Sequence, residues 1–123
     1  MKITEKVAAQ VSALSKDANL IAVLTRLHEF WGDRAFDVMD HWEANFHGVG
    51  VAQKKNHSVL VYIDNFEKAK DTYHVELESP PLPGSEQPFN SAGVYDTVTF
   101  EELRSLVGQH LDLDHPRSEQ HGG

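Results

Sequence analysis

The chain has 123 residues, 19 of them acidic and 11 basic, giving a net charge of −8 near neutrality, and it has no cysteine. That length suits one domain able to bury a core unaided, and the cysteine count excludes disulfides, thiolate zinc sites and cysteine nucleophiles. No window reaches the roughly 18 apolar residues of a membrane span, and the opening MKITEKVAAQVSALSK has no continuous apolar run, so a cytoplasmic, soluble domain without a signal peptide is expected.

Thr4 is placed to cap a first helix, on which Val7, Ala8, Val11 and Leu14 recur at helical spacing. The polar run Ser15 to Asn19 interrupts it, and Asp17 is placed to cap a second helix. Leu20, Val23, Leu24, Leu27, Phe30 and Trp31 form the apolar stripe of that helix, and Gly32 suits the position just past its end. The pattern fits either two helices or one long bent one.

Past Gly32 the period becomes two. Phe36, Val38, Trp42, Ala44 and Phe46 share one parity, predicting a strand from Phe36 to Trp42 with a bulge, kink or break near Gly48. Gly48 and Gly50 leave room for another backbone or a bulky ring. Lys54 to His57 is a polar turn leading into Ser58 to Ile63, the most β-prone run in the chain. Asp64 to Asp71 connects to a cleanly alternating segment, with Tyr73, Val75 and Leu77 on one face and His74, Glu76 and Glu78 on the other. Such alternation marks an antiparallel strand with one buried and one wet face.

Ser79 to Gly93 contains four of the five prolines and reads as a long loop, followed by a short edge strand over Val94 to Val98. Thr99 and Glu102 fit a capping box and Val98 with Leu103 a hydrophobic staple, starting a helix that runs to about residue 111. The fold class expected is α+β: N-terminal helices, a small antiparallel β-meander of three to four strands, and a C-terminal helix packed on the sheet. One domain is expected over residues 1–111, with a disordered tail over 112–123. The terminal Gly122-Gly123 reads as a flexible end or an added scar. Conjugation of the ubiquitin-like kind would need a β-grasp order, and here helices come first.

Charge is unevenly placed. Residues 1–63 balance seven basic against seven acidic residues, whereas residues 64–123 set four basic residues against twelve acids. An acidic field repels nucleic acid and anionic membranes and speeds encounter with basic partners. The aromatic residues Trp31, Trp42, Phe46, Tyr62 and Tyr73 fall on apolar stripes or beside buried parities and are expected in the core rather than on a base-stacking platform.

Chemistry-bearing patterns are sparse. His41, Glu43 and His47 share strand parity, but no HExxH, HxH or cysteine accompanies them, so no metal is expected. Glu76 and Glu78 lie about 7 Å apart on one strand face, a spacing also found between glycosidase carboxylates. A wet strand face accounts for the pair, and neither a phosphate loop nor a nucleophile elbow is present. No enzyme activity and no cofactor are expected. The features that converge are the carboxylates Glu76, Glu78, Glu86, Asp96 and Glu101, together with Leu82 and Phe89 in the proline-rich loop. An apolar anchor ringed by carboxylates suits a basic protein partner.

The stretch HWEANFHGVGVA…SVLVYIDN…YHVELE, followed by VTFEELRSLVGQHL, resembles small bacterial proteins of the toxin–immunity type over roughly residues 38–111. The resemblance implies a cytoplasmic, non-catalytic inhibitor that covers the active-site face of a cognate basic toxin domain, such as a nuclease. It transfers no functional residue. The other reading is a small regulatory or adaptor domain that binds a host protein, or a small ligand between helices and sheet.

Overall fold

Asp17 opens the first described helix, α1 (Ala18–Trp31), by accepting hydrogen bonds from the Asn19 and Leu20 N–H groups at 3.0 and 3.3 Å. The helix stops at Gly32, whose φ of 114° a side chain would strain and whose N–H returns to the His28 carbonyl at 2.8 Å. The structure is a computed structural model that describes residues 15–40 and 45–114. The predicted first helix over Thr4 to Leu14 and most of the predicted tail lie outside those residues, as do His41, Trp42 and Glu43.

Among the described residues five strands follow in a simple meander: β1 (Phe36–Met39), β2 (Gly48–Gln53), β3 (Leu60–Asp64), β4 (Thr72–Ser79) and β5 (Asn90–Thr99). Each pairs antiparallel with the next, so spatial order equals chain order. The last helix, α2 (Phe100–Leu111), carries both halves of the capping box. Thr99 Oγ1 accepts from the Glu102 N–H at 3.2 Å, and the Glu102 carboxylate accepts from the Thr99 N–H at 2.9 Å. Its end is closed by Asp112 in the left-handed conformation and by the Leu113 N–H, which reaches back to the Gly108 carbonyl at 2.9 Å.

Register assigns the two faces. Phe36, Val38, Val49, Val51, Val61, Ile63, Tyr73, Val75, Leu77 and Val98 line up across neighbouring strands and join the core with α1 and α2. Leu20, Val23, Leu24 and Leu27 enter it from α1, and Leu103, Val107 and Leu111 from α2. The two helices also grip each other. The Trp31 indole N–H donates to the Arg104 carbonyl at 3.2 Å, and its ring lies where a side chain on Gly108 would stand. Arg26 and Arg104 lie over the Phe100 and Phe30 rings at 3.7 and 4.1 Å. Buried His28 stacks on Phe36 with centroids 4.2 Å apart, and desolvation holds its pKa below the ordinary value.

Several boundaries differ from expectation. Among the described residues the sheet has five strands rather than three to four, because Gly48–Gln53 forms a strand of its own, paired antiparallel with Phe36–Met39. The last strand also starts at Asn90 rather than Val94 and runs ten residues. Within the described residues the first strand stops at Met39. Phe46 is more than half exposed in a turn instead of lying in the core. Tyr62, half-buried, turns to the face opposite the helices, where it lies over Gly48.

Candidate functional site

From Thr72 to Leu103 the chain carries six carboxylates and no lysine or arginine. The fold concentrates this segment at one side of the sheet, as β4, the 80–89 loop, β5 and the first turn of α2. On the sheet face away from the helices, β3 and β4 pair Tyr62 with Glu76, Asp64 with His74 and Leu60 with Glu78. Two irregularities in the β4–β5 ladder then set the positions on β5. Tyr73 pairs with Val98 and Val75 with Tyr95, so Asp96 and Thr97 together oppose His74. Leu77 pairs with Gly93 and Glu78 with Ser91, leaving Ala92 unmatched beside Gly93 at φ 157°.

The first bulge brings separate parts of the chain into one polar row. His74 places Nε2 2.8 Å from the Glu76 carboxylate and Nδ1 3.5 Å from Asp96. Lys68, from the β3–β4 connection, reaches Asp96 at 3.4 Å and donates to Thr97 Oγ1 at 2.9 Å. The Lys68 ammonium, with His74 behind it, holds the Asp96 carboxyl below its usual pKa, so Asp96 is a fixed negative charge under ordinary conditions. Further along the same face, the Tyr62 hydroxyl donates to Asp64 at 2.6 Å and accepts from the Asn45 amide at 2.9 Å. Burial and the neighbouring Asp64 raise the Tyr62 pKa, so the phenol stays protonated as a donor. Burial works to raise the Asp64 carboxyl, but hydrogen bonds from the Tyr62 hydroxyl, the Phe66 N–H and the Asn45 amide outweigh it and hold it low.

β5 exposes two large apolar side chains among its polar ones. Val94 and Tyr95 are 59% and 40% exposed. On the helix side, Tyr95, Val98, Ser105, Leu106 and Gln109 line a shallow groove of about 400 Å³ bordered by Glu101 and Glu102. The interior between helices and sheet is filled by fully buried aliphatic side chains.

The structure brings some of the sequence-derived residues together and leaves others apart. Glu76 and Asp96 meet through His74, and Glu78 follows on the same face of β4. Glu101 borders the groove on the other side of β5. Leu82 and Phe89, at 59% and 37% exposure, stay on the surface of the loop and are not tucked over the sheet; Glu86 is exposed between them. The loop turns at Leu82-Pro83-Gly84-Ser85, with the Ser85 N–H on the Leu82 carbonyl at 3.0 Å and Gly84 at φ 81°. Sequence reasoning missed Val94, Tyr95, His74 and Lys68. Val94 and Tyr95 were legible as strand residues, but their exposure depends on β5 being outermost, and Lys68 and His74 meet Asp96 only because of the bulge.

A second exposed cluster lies at the start of α1. His47 stands between Phe46 and Phe66, with ring centroids 5.2 and 5.3 Å away, and its Nδ1 lies 3.0 Å from Asn65 Oδ1. The Asn65 amide donates in turn to Asp17 at 2.9 Å, tying this cluster to the helix cap. Among the described residues, no three His, Asp or Glu side chains are grouped so as to hold a metal ion. No described helix is long and apolar enough to cross a membrane. Compared with known families, curated proteins and solved structures, the chain matches no family model, no curated protein and no solved structure.

Proposed function

We propose that the protein is a non-catalytic inhibitor of the toxin–immunity kind, acting in the cytoplasm by covering the cationic face of a basic protein partner. The observation that carries this reading is that Glu76, Glu78, Glu86, Asp96, Glu101 and Glu102 fall in one stretch of chain without lysine or arginine. That stretch forms the β5 end of the sheet on both its faces, with Lys68 paired to Asp96 from the preceding connection. Such a field raises the encounter rate with a cationic partner. Exposed Leu82, Phe89, Val94 and Tyr95 supply apolar area that is desolvated on docking. Lys68 and His74 hold Asp96 in place, and His74 holds Glu76 beside it.

The test compares the native chain with a Glu76→Gln, Asp96→Asn, Glu101→Gln triple variant as bait at low salt. The expected result is one basic protein held in equal proportion by the native chain, released as salt rises, and lost from the triple variant. Retention by both baits, or a retained protein with no cationic face, overturns the reading.

A further inference from the structure

Sheet order leaves β5 outermost, and among the described residues no backbone hydrogen bond from a turn or loop reaches residues 90–99. Ser91, Ala92 and Val94 to Thr97 are exposed. Ten residues of strand reach at most about 33 Å, and between the two irregularities of the β4–β5 ladder alternate residues turn their N–H and C=O groups away from β4. Proteins commonly blunt such an edge with charged side chains such as lysine, with proline, bulges or a covering element, and of these β5 carries two bulges and the charge of Asp96. Neither lysine nor proline occurs between Asn90 and Thr99, and all the prolines of the preceding loop precede Phe89.

We infer that β5 is a docking edge, to which a basic partner adds an extended segment as a sixth strand. The inference rests on the acidic-inhibitor reading for the charge of the partner and adds how the partner is held. Backbone pairing supplies the attachment, and the two faces of β5 supply the selectivity.

An added strand sends alternate side chains to opposite faces of the sheet. Those on the helix face enter the groove formed by Tyr95, Val98 and Leu106. Those on the open face meet Asp96, with Glu76 behind it across His74. The edge therefore selects a segment in which apolar side chains alternate with lysine or arginine. A second copy of the chain is a poor occupant, because it brings the same net charge of −8 against its own.

The probe is a capped ten-residue peptide of alternating lysine and valine, titrated into the full chain while amide exchange is followed along the sheet. The expected result is saturable one-to-one binding, with exchange slowed at the outward amides of Ser91 to Thr97 and unchanged at β1. A fully N-methylated counterpart keeps the side chains and charge but offers no backbone donor, and it binds about tenfold or more weakly. Asp96→Lys weakens binding of the unmodified peptide about fivefold or more, with exchange at β1 as the control for an intact sheet. Equal binding of the N-methylated peptide, or binding without protection on β5, overturns strand addition and leaves the acidic-inhibitor reading standing. Equal binding of a glutamate–valine peptide overturns the charge selectivity on which both rest. Protection of β5 that grows with protein concentration alone assigns the edge to a second copy, and failure of the lysine–valine peptide to bind removes the inference.

Discussion

At one edge of the sheet, β1 runs four residues, and its Asp37 is clamped by Lys54 and His57, each 2.7 Å away. At the other edge, β5 runs ten residues, with Val94 and Tyr95 exposed and no lysine or arginine from Thr72 to Leu103. Both edges belong to one antiparallel meander and share one core, so the difference does not come from topology. It comes from what each edge carries. A four-residue strand offers little to another chain, whereas a ten-residue strand that exposes Val94 and Tyr95 in a mostly acidic stretch offers both attachment and steering, even with Asp96 itself paired to Lys68 and His74.

The largest expected effect comes from loosening the support behind β5. Leu103 is fully buried on α2, which contacts β2 through β5 as well as α1. Leu103→Ala is expected to lower stability by about 2–5 kcal/mol through lost transfer energy and the cavity left behind. Urea unfolding reads this as a lower midpoint at an unchanged slope. Amide exchange should quicken on β5 before β1, because α2 follows β5 directly. A loss below about 1 kcal/mol, or first opening at β1, would show that α2 does not hold the docking edge in place.

A smaller effect is expected at the joint itself. Thr99 ends β5 and caps α2, so one hydroxyl ties the edge strand to its supporting helix. Thr99→Ala removes the acceptor for the Glu102 N–H and should cost about 1 kcal/mol. Thr99→Ser keeps the oxygen and should restore most of it. If serine fails to rescue, the lost methyl group rather than the cap is responsible, and thermal melts of the two variants separate the cases.

This joint is legible in the sequence alone. Thr99, Glu102 and the apolar run behind them obey a local rule, as do Asp17 at the start of α1 and the alternation of Tyr73, Val75 and Leu77. Even the close approach at Gly48 was signalled, and the Tyr62 ring fills it. The start of β5 was not legible. Asn90-Ser91-Ala92-Gly93 has poor strand propensity and becomes strand because β4 offers partners, with bulges absorbing the mismatched register. For the candidate site the carboxylates could be chosen by type and parity, but their grouping could not. His74 joins Glu76 to Asp96 through a bulge, and Lys68 arrives from another connection. Exposed Phe46 failed for a related reason: shared parity says nothing once the chain has left the strand for a turn.

The smallest effect is expected at β1, and it separates length from charge as the cause of the difference between the edges. Hydrogen bonds from Lys54 and then His57 hold the Asp37 carboxyl below its ordinary pKa. A lowered folded-state pKa means that the unfolded chain takes up the proton first. The stabilisation from Asp37 is therefore complete above the unfolded value near 3.8 and is lost as pH falls through the lower folded value. All three side chains are well solvated, so Asp37→Asn should cost less than about 1 kcal/mol at neutral pH. It should flatten the acid limb of the stability curve only in that window. An unchanged acid limb would mean that the clamp contributes nothing to folding. The same variant, offered the lysine–valine peptide, should still show protection on β5 alone, because four residues are too few to hold an added strand whatever their charge. Protection appearing on β1 would instead make the Lys54–Asp37–His57 clamp, not strand length, the feature that keeps that edge closed.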